Sequence, residues 1–75
     1  MVHIFITVEN NLLILDCYEK DRNNAYFRLV VDKNTLDIIE KPQECNISVS
    51  ISYSRICSLI KSGKPLPKET CAAWG

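Results

Sequence analysis

The chain contains 75 residues, of which 47% are hydrophobic, and nine basic side chains balance nine acidic ones to give a formal net charge of zero. A disordered chain combines low hydrophobicity with high net charge, and a nucleic-acid-binding domain carries an excess of basic residues. The composition excludes both classes and predicts one small domain over residues 1–75, with no nucleic-acid partner. A domain near this size buries only about 60% of the surface of its unfolded chain. It is therefore usually stabilised by disulfides, by a bound metal or by a partner subunit.

The four cysteines, Cys17, Cys45, Cys57 and Cys71, contain no CxxC pair. Structural metal sites and thioredoxin-like redox centres usually place two cysteines two to four positions apart, so we expect no bound metal and no cofactor. The apolar run at residues 2–8 is too short for a signal peptide or a membrane span. We therefore expect a cytoplasmic protein without membrane contact, in which most of these thiols are reduced and act as small buried hydrophobes.

The first half of the chain favours strands, because β-branched and aromatic residues cluster between groups of turn-forming residues. Short connections of this kind join antiparallel neighbours. The sequence predicts a four-stranded antiparallel meander sheet with strands at 2–8, 12–19, 25–31 and 36–40.

The turns fix a register that can be tested, since directly opposed residues of antiparallel strands share a face. A turn at Asn10 and Asn11 opposes Ile6 to Leu15, and a loop at 20–24 opposes Leu15 to Leu29. The third hairpin is expected to oppose Leu29 to Ile38, and Val31 to Leu36. In this register one face of the sheet is apolar. Its residues are Ile4, Ile6, Val8, Leu13, Leu15, Cys17, Phe27, Leu29, Val31, Leu36 and Ile38.

The second half of the chain favours helix, because its apolar spacing changes from 2 to about 3.6. A helix over about 52–62 would cover the apolar face with Tyr53, Ile56, Cys57 and Ile60. Ser52 is a suitable N-cap and Gly63 a suitable C′ residue, although a start as early as Ser48 also fits. A short second helical segment is expected at about 67–74, where Leu66 and Trp74 would close one end of the core.

The other face of the predicted sheet should alternate to polar residues if it meets water, and it does not. It carries apolar and aromatic side chains around an Asp16–Arg28 pair, and so large an exposed patch is typical of an interaction surface. The predicted interaction surface consists of Phe5, Leu12, Ile14, Tyr18, Tyr26, Val30 and Ile39. We name these seven residues the outer patch.

Several occupants of the outer patch are compatible with the sequence. A second copy is the simplest, since a twofold axis lets one patch cover another and gives a homodimer. Another protein is the second possibility. The third is that the carboxy-terminal segment crosses a sheet edge and covers the patch itself.

The polar residues do not suggest an enzyme, and we predict no catalytic residue. The chain has one histidine, no glycine-rich loop and no acidic pair at a catalytic spacing. The leading hypothesis is a non-enzymatic protein-interaction or self-association module. The alternative is a cysteine-dependent metal-binding or redox protein that uses Cys57 and Cys71 with a third ligand from elsewhere.

Overall fold

A computed structural model describes residues 1–20, 25–43 and 46–73. These residues form a five-stranded antiparallel sheet and one helix, so the predicted α+β class and the antiparallel sheet are confirmed. The elements are β1 (Val2–Glu9), β2 (Leu12–Glu19), β3 (Ala25–Asp32), β4 (Ile38–Glu40), α1 (Ile47–Lys61) and β5 (Glu69–Ala72). The strands lie side by side in the order β4-β3-β2-β1-β5.

The predicted register of β1, β2 and β3 is confirmed. Ile6 lies opposite Leu15, and Leu15 lies opposite Leu29. Asn10 in the first turn has a φ of 55°, in the left-handed region that asparagine tolerates better than most residues. The loop expected between β2 and β3 falls mainly on residues 21–24, outside the described part of the chain.

The predicted register of the third hairpin is wrong. Ile38 pairs with Val31, and Glu40 pairs with Val30, so that Ile39 lies in a β-bulge between the two pairs. The expected Leu29–Ile38 and Val31–Leu36 pairs are absent from this hairpin, which is described throughout. A bulge puts two residues of one strand against one of its neighbour, which shifts the pairing.

The turn before β4 explains the shift. The Asp32 carboxylate accepts hydrogen bonds from the amides of Asn34 and Thr35 at 2.8 and 3.1 Å. Such side-chain bonds to the backbone wrap the chain locally and compete with strand pairing. Leu36, with a φ of 66°, belongs to this wider turn, and β4 therefore begins at Ile38 rather than at residue 36.

The core lies between one face of the sheet and α1. Strand residues from β1, β2, β3 and β5 meet Val49 and Ile56 of α1. Val8 and Ile38, which the register assigned to this face, are 51% and 41% exposed. Val8 lies beyond Phe5, where the pairing of β1 with β5 stops, and Ile38 belongs to an edge strand. The buried hydrophobic residues are Val2, Ile4, Ile6, Leu13, Leu15, Cys17, Leu29, Val31, Val49, Ile56 and Ala72.

Helix α1 begins about one turn before the predicted residue 52. Asn46 is the N-cap, and its side chain accepts the Val49 amide at 3.2 Å. Ser52 is not a cap but a fully buried residue whose hydroxyl donates to the Ser48 carbonyl at 2.7 Å. The carboxy-terminal end agrees with the prediction, since Gly63 takes the left-handed φ of 73° that glycine adopts easily. Within the described residues, no helix has the length and apolar character needed to cross a membrane.

The predicted second helical segment at 67–74 is wrong, because residues 69–72 form β5 beside β1. An isolated segment of this length gains little from helix formation, whereas β5 supplies hydrogen-bond partners to the otherwise unpaired edge of β1. Leu66 packs against the core as expected. Trp74 lies outside the described residues.

Candidate interaction surface

The outer patch lies on the sheet face opposite α1, where strand register places six of its seven residues. Tyr26 and Phe5 are 51% and 39% exposed. Ile14 is half-buried between Thr7 and Val30, its direct neighbours on β1 and β3. Leu12, Tyr18 and Val30 are also half-buried. Ile39, in the bulge of β4, is 57% exposed.

Four rings form a continuous row across β1, β2 and β3. His3 stacks on Phe5 with ring centroids 4.6 Å apart, and Phe5 meets the edge of Tyr18 at 5.7 Å. Tyr18 in turn lies 5.2 Å from Tyr26 on β3. Aromatic pairs at these separations stabilise one another by about 0.5–1.5 kcal/mol beyond the area that they bury. The exposed rings are therefore held in place before any partner arrives.

A polar group stands next to the ring row. One Asp16 carboxylate oxygen accepts a hydrogen bond from the Tyr26 hydroxyl at 2.6 Å and another from Arg28 Nε at 3.2 Å. The bond to Asp16 raises the pKa of Tyr26 above its ordinary value, so the phenol stays protonated as a donor. The pairing of Asp16 with Arg28 follows the predicted register. It places one negative and one positive side chain directly beside the ring row.

Strand β5 adds a polar margin that the sequence analysis missed. Cys71 pairs with His3, and Glu69 pairs with Phe5, so both side chains belong to the same face as the rings. The Glu69 carboxylate lies 3.6 Å from His3 Nε2. Thr70 is the only β-branched residue from 69 to 72, and so short a segment cannot be distinguished from a helical turn by its sequence.

The described chain leaves the outer patch uncovered. Helix α1 packs on the opposite face, and β5 lies beside β1 rather than over the rings. The alternative required the carboxy-terminal segment to cross a sheet edge and cover the outer patch. The segment does reach an edge of the sheet, but through Ala73 it extends the sheet there and leaves the patch uncovered. Residues 74 and 75 lie outside the described part.

The cysteines of the described residues lie in three different environments, and all are free thiols. Cys17 is buried beneath Ser52, and burial raises the pKa of its thiol to about 12. Cys57 is half-buried one helical turn after Tyr53, whose hydroxyl donates to the Leu36 carbonyl in the turn before β4. Cys71 is exposed on β5, at the other edge of the sheet.

No group of three or more His, Cys, Asp or Glu side chains suited to hold a metal ion occurs within residues 1–20, 25–43 and 46–73. Cys45, the remaining cysteine, is not among these residues.

Comparison with protein-family models, with curated proteins and with solved structures gives no match to this chain.

Proposed function

We propose that this protein is a non-enzymatic self-association module whose outer patch binds the outer patch of a second copy. The observation that carries the proposal is the exposure of Phe5 and Tyr26 on a face where an unpartnered sheet would carry polar residues. Tyr and Phe are among the residues most enriched at protein interfaces, so their exposure on this face supports a role in binding.

The size of the face suits a dimer. Strands β1, β2 and β3 have eight residues each, and a strand of that length is about 27 Å long with neighbours about 4.8 Å away. With the shorter β4 and β5 at the sides, the face measures roughly 500 Å² in projection. A corrugated surface of protruding rings exceeds its projection, and each partner of a standard interface buries about 800 Å². One face thus supplies area of the order that a stable dimer needs.

The charges of the face also suit a second copy. Asp16 and Arg28 are side by side, with 26% and 49% of their side chains exposed. A twofold axis close to this pair brings each carboxylate to the guanidinium of the other copy, which sets the orientation of the two sheets. The formal net charge of zero adds no long-range repulsion between copies.

A cytoplasmic location is part of the same proposal. Cys17, Cys57 and Cys71 are all unpaired thiols, and Cys71 is exposed. Oxidising compartments convert accessible thiols to disulfides, whereas the cytosol keeps them reduced.

The test is the mass in solution of three chains, measured by light scattering on a sizing column over a range of concentrations. The wild type is expected at twice the chain mass of 8.6 kDa. Ile14→Glu is expected at the monomer mass, because a dimer would bury the new carboxylate without a partner. Ile47→Glu is the matched control, since Ile47 is 54% exposed on α1, away from the outer patch, and it should remain dimeric.

Circular dichroism must show that Ile14→Glu retains its fold. Should that variant unfold, Tyr26→Lys replaces it, since half of Tyr26 is already in contact with solvent. A wild type that stays monomeric at millimolar concentration refutes self-association and leaves the outer patch to a different protein. A dimer that persists in the folded Ile14→Glu or Tyr26→Lys variant refutes the assignment of the interface.

A further inference from the structure

The outer edge of β5 presents backbone groups that no described strand pairs. The amide of Ile6 donates to the Lys68 carbonyl at 2.8 Å. Hydrogen-bonded pairs alternate along an antiparallel ladder, so Thr70 and Ala72 also direct their backbone groups toward β1. Glu69, Cys71 and Ala73 must then direct theirs away from it. Since β5 is the last strand of the sheet, these groups face the outside.

A cleft of about 320 Å³ runs between this edge and α1. The helix lines it with Ile51, Ser54, Arg55 and Ser58, which have the spacing of a single helix face. The strand side is formed by residues 71–73. We name this the edge cleft. An edge strand next to a helix is the arrangement in which extended peptides are bound by strand addition.

The described lining of the edge cleft carries a positive charge. Arg55 is the only charged residue among the described residues that line it, and its Nε donates to Thr70 Oγ1 at 3.3 Å, which holds the guanidinium over the strand. In the described part of the chain no carboxylate forms an ion pair with Arg55. The two terminal nitrogens of a guanidinium oriented in this way suit a carboxylate in the cleft.

We infer that the edge cleft binds an extended segment of another protein, as a sixth strand that carries a carboxylate side chain opposite Thr70. The amides and carbonyls of Glu69, Cys71 and Ala73 would form the backbone ladder with the segment. A residue opposite Thr70 stands in a non-hydrogen-bonded pair, where side chains approach most closely, and it faces the α1 side as Thr70 does. Arg55 would thus select the acidic residue.

A second copy of the chain fits the edge cleft less well than an acidic segment. Pairing two β5 strands about a twofold axis would bring the Arg55 side chains of both copies toward each other, because each is held at Thr70, near the middle of the strand. Like charges opposed in this way are destabilising. The edge cleft therefore differs from the outer patch, which lies beside the oppositely charged Asp16 and Arg28, and the two proposals stand independently.

The probe is an acetylated, amidated and fluorescently labelled peptide, Thr-Val-Thr-Glu-Thr-Val-Thr, with a matched peptide that carries Lys at the centre. Both are titrated against the full chain by fluorescence anisotropy. The Glu peptide is expected to bind about tenfold more tightly, as a charge-assisted hydrogen bond implies. Arg55→Gln should remove this preference. Lys33→Gln, which removes an equal charge from an exposed turn, should leave it unchanged.

Amide exchange measured by NMR locates the bound peptide. Binding should slow exchange at Glu69, Cys71 and Ala73, whose amides face outward, and should leave Thr70 and Ala72 nearly as before. Cys71→Pro provides a second variant, because proline at an outward-facing edge position removes the donor without breaking the ladder to β1. It should weaken binding of both peptides.

Three results of the peptide experiments would overturn the inference. They are the absence of binding by the Glu peptide at millimolar concentration, equal binding of both peptides to the wild type, and slowed exchange on the outer patch instead of β5. A wild-type dimer that survives Ile14→Glu but is lost in Cys71→Pro would assign the edge to a second copy and would likewise refute it. The mass measurement on Ile14→Glu tests the outer patch by itself, so the two failures remain distinguishable.

Discussion

The two faces of the sheet are built from alternate residues of the same strands, yet they have different environments. Leu15 is fully buried beneath α1, while its neighbour Ile14 lies on the uncovered face. Both are large aliphatic residues, so hydrophobicity does not determine which one is covered. The difference between them lies in α1, whose 15 residues pack on one side of the sheet.

The side chains of the two faces reflect this difference. Where α1 meets the sheet, the buried residues include the small side chains of Cys17, Ser48 and Ser52, which allow helix and strands to approach closely. The uncovered face instead carries large rings in mutual contact. Small residues fit a contact that is already made within the chain, whereas exposed rings supply a contact area for a partner.

The largest effect is expected when the side chains of two adjacent residues, one on each face of the sheet, are truncated. Leu15→Ala should lower the free energy of unfolding by about 2–5 kcal/mol, the usual cost of a cavity in a packed core. Ile14→Ala should cost less than about 1 kcal/mol in the monomer, because half-exposed side chains leave no enclosed cavity. Urea unfolding at low protein concentration measures both values.

Equal losses for these two variants would mean that both faces of the sheet are equally well packed, which contradicts a covered and an uncovered side. A marginal domain of this size has little stability to lose, so Leu15→Val serves as a milder replacement if Leu15→Ala does not fold.

The buried thiol offers a second test, in the pH dependence of stability. Burial raises the pKa of Cys17 to about 12, whereas a thiol in an unfolded chain titrates near 8.5. The folded state therefore keeps a proton that the unfolded state releases. The stabilisation is complete below about pH 8.5 and is lost as pH rises toward 12, by up to about 1.4 kcal/mol per pH unit.

Urea unfolding of the wild type and of Cys17→Ala between pH 8 and 10.5 measures this loss as a difference in slope. Cys71→Ala, which removes an exposed thiol, is the matched control for the loss of a cysteine. A wild-type slope no steeper than that of Cys17→Ala would show that the thiol is not excluded from water.

The smallest expected effect concerns the polar group on the uncovered face. Asp16→Asn should lower the free energy of unfolding by less than about 1 kcal/mol, since solvent screens a partly exposed ion pair. In the proposed dimer the same change should weaken association more strongly, because burial removes the screening. Sedimentation equilibrium beside urea unfolding separates the two quantities, and a larger loss in the monomer than in the dimer would contradict the proposed role of Asp16.

The register of the long strands was predictable because it is set by local chemistry. The turn at Asn10 and Asn11 and the alternation of apolar residues fix it independently and agree with each other. The six members of the outer patch on β1, β2 and β3 follow from that register, because a side chain's face depends only on odd or even position. Their use as an interface remains a prediction.

The remaining elements depend on contacts that the sequence does not display. The bulge at Ile39 arises from side-chain bonds of Asp32 that outcompete the expected pairing. The start of α1 is signalled by Asn46, a strong N-cap residue, but the alternation of Ile47, Val49 and Ile51 resembles a strand and obscures it. Strand β5 forms because its backbone pairs with the edge of β1, which is far from it in the sequence. The edge cleft, which depends on β5, could not be predicted for the same reason.

The short, bulged β4 limits how large an assembly of this protein can become by strand addition. Its three residues offer few backbone groups in a regular line, and natural sheets use brevity and bulges of this kind to prevent further strands from adding. Growth of the sheet by strand addition is thus restricted to the β5 side and stops after one event. A fibril that grows by strand addition needs two sheet edges that accept strands, and this sheet has one.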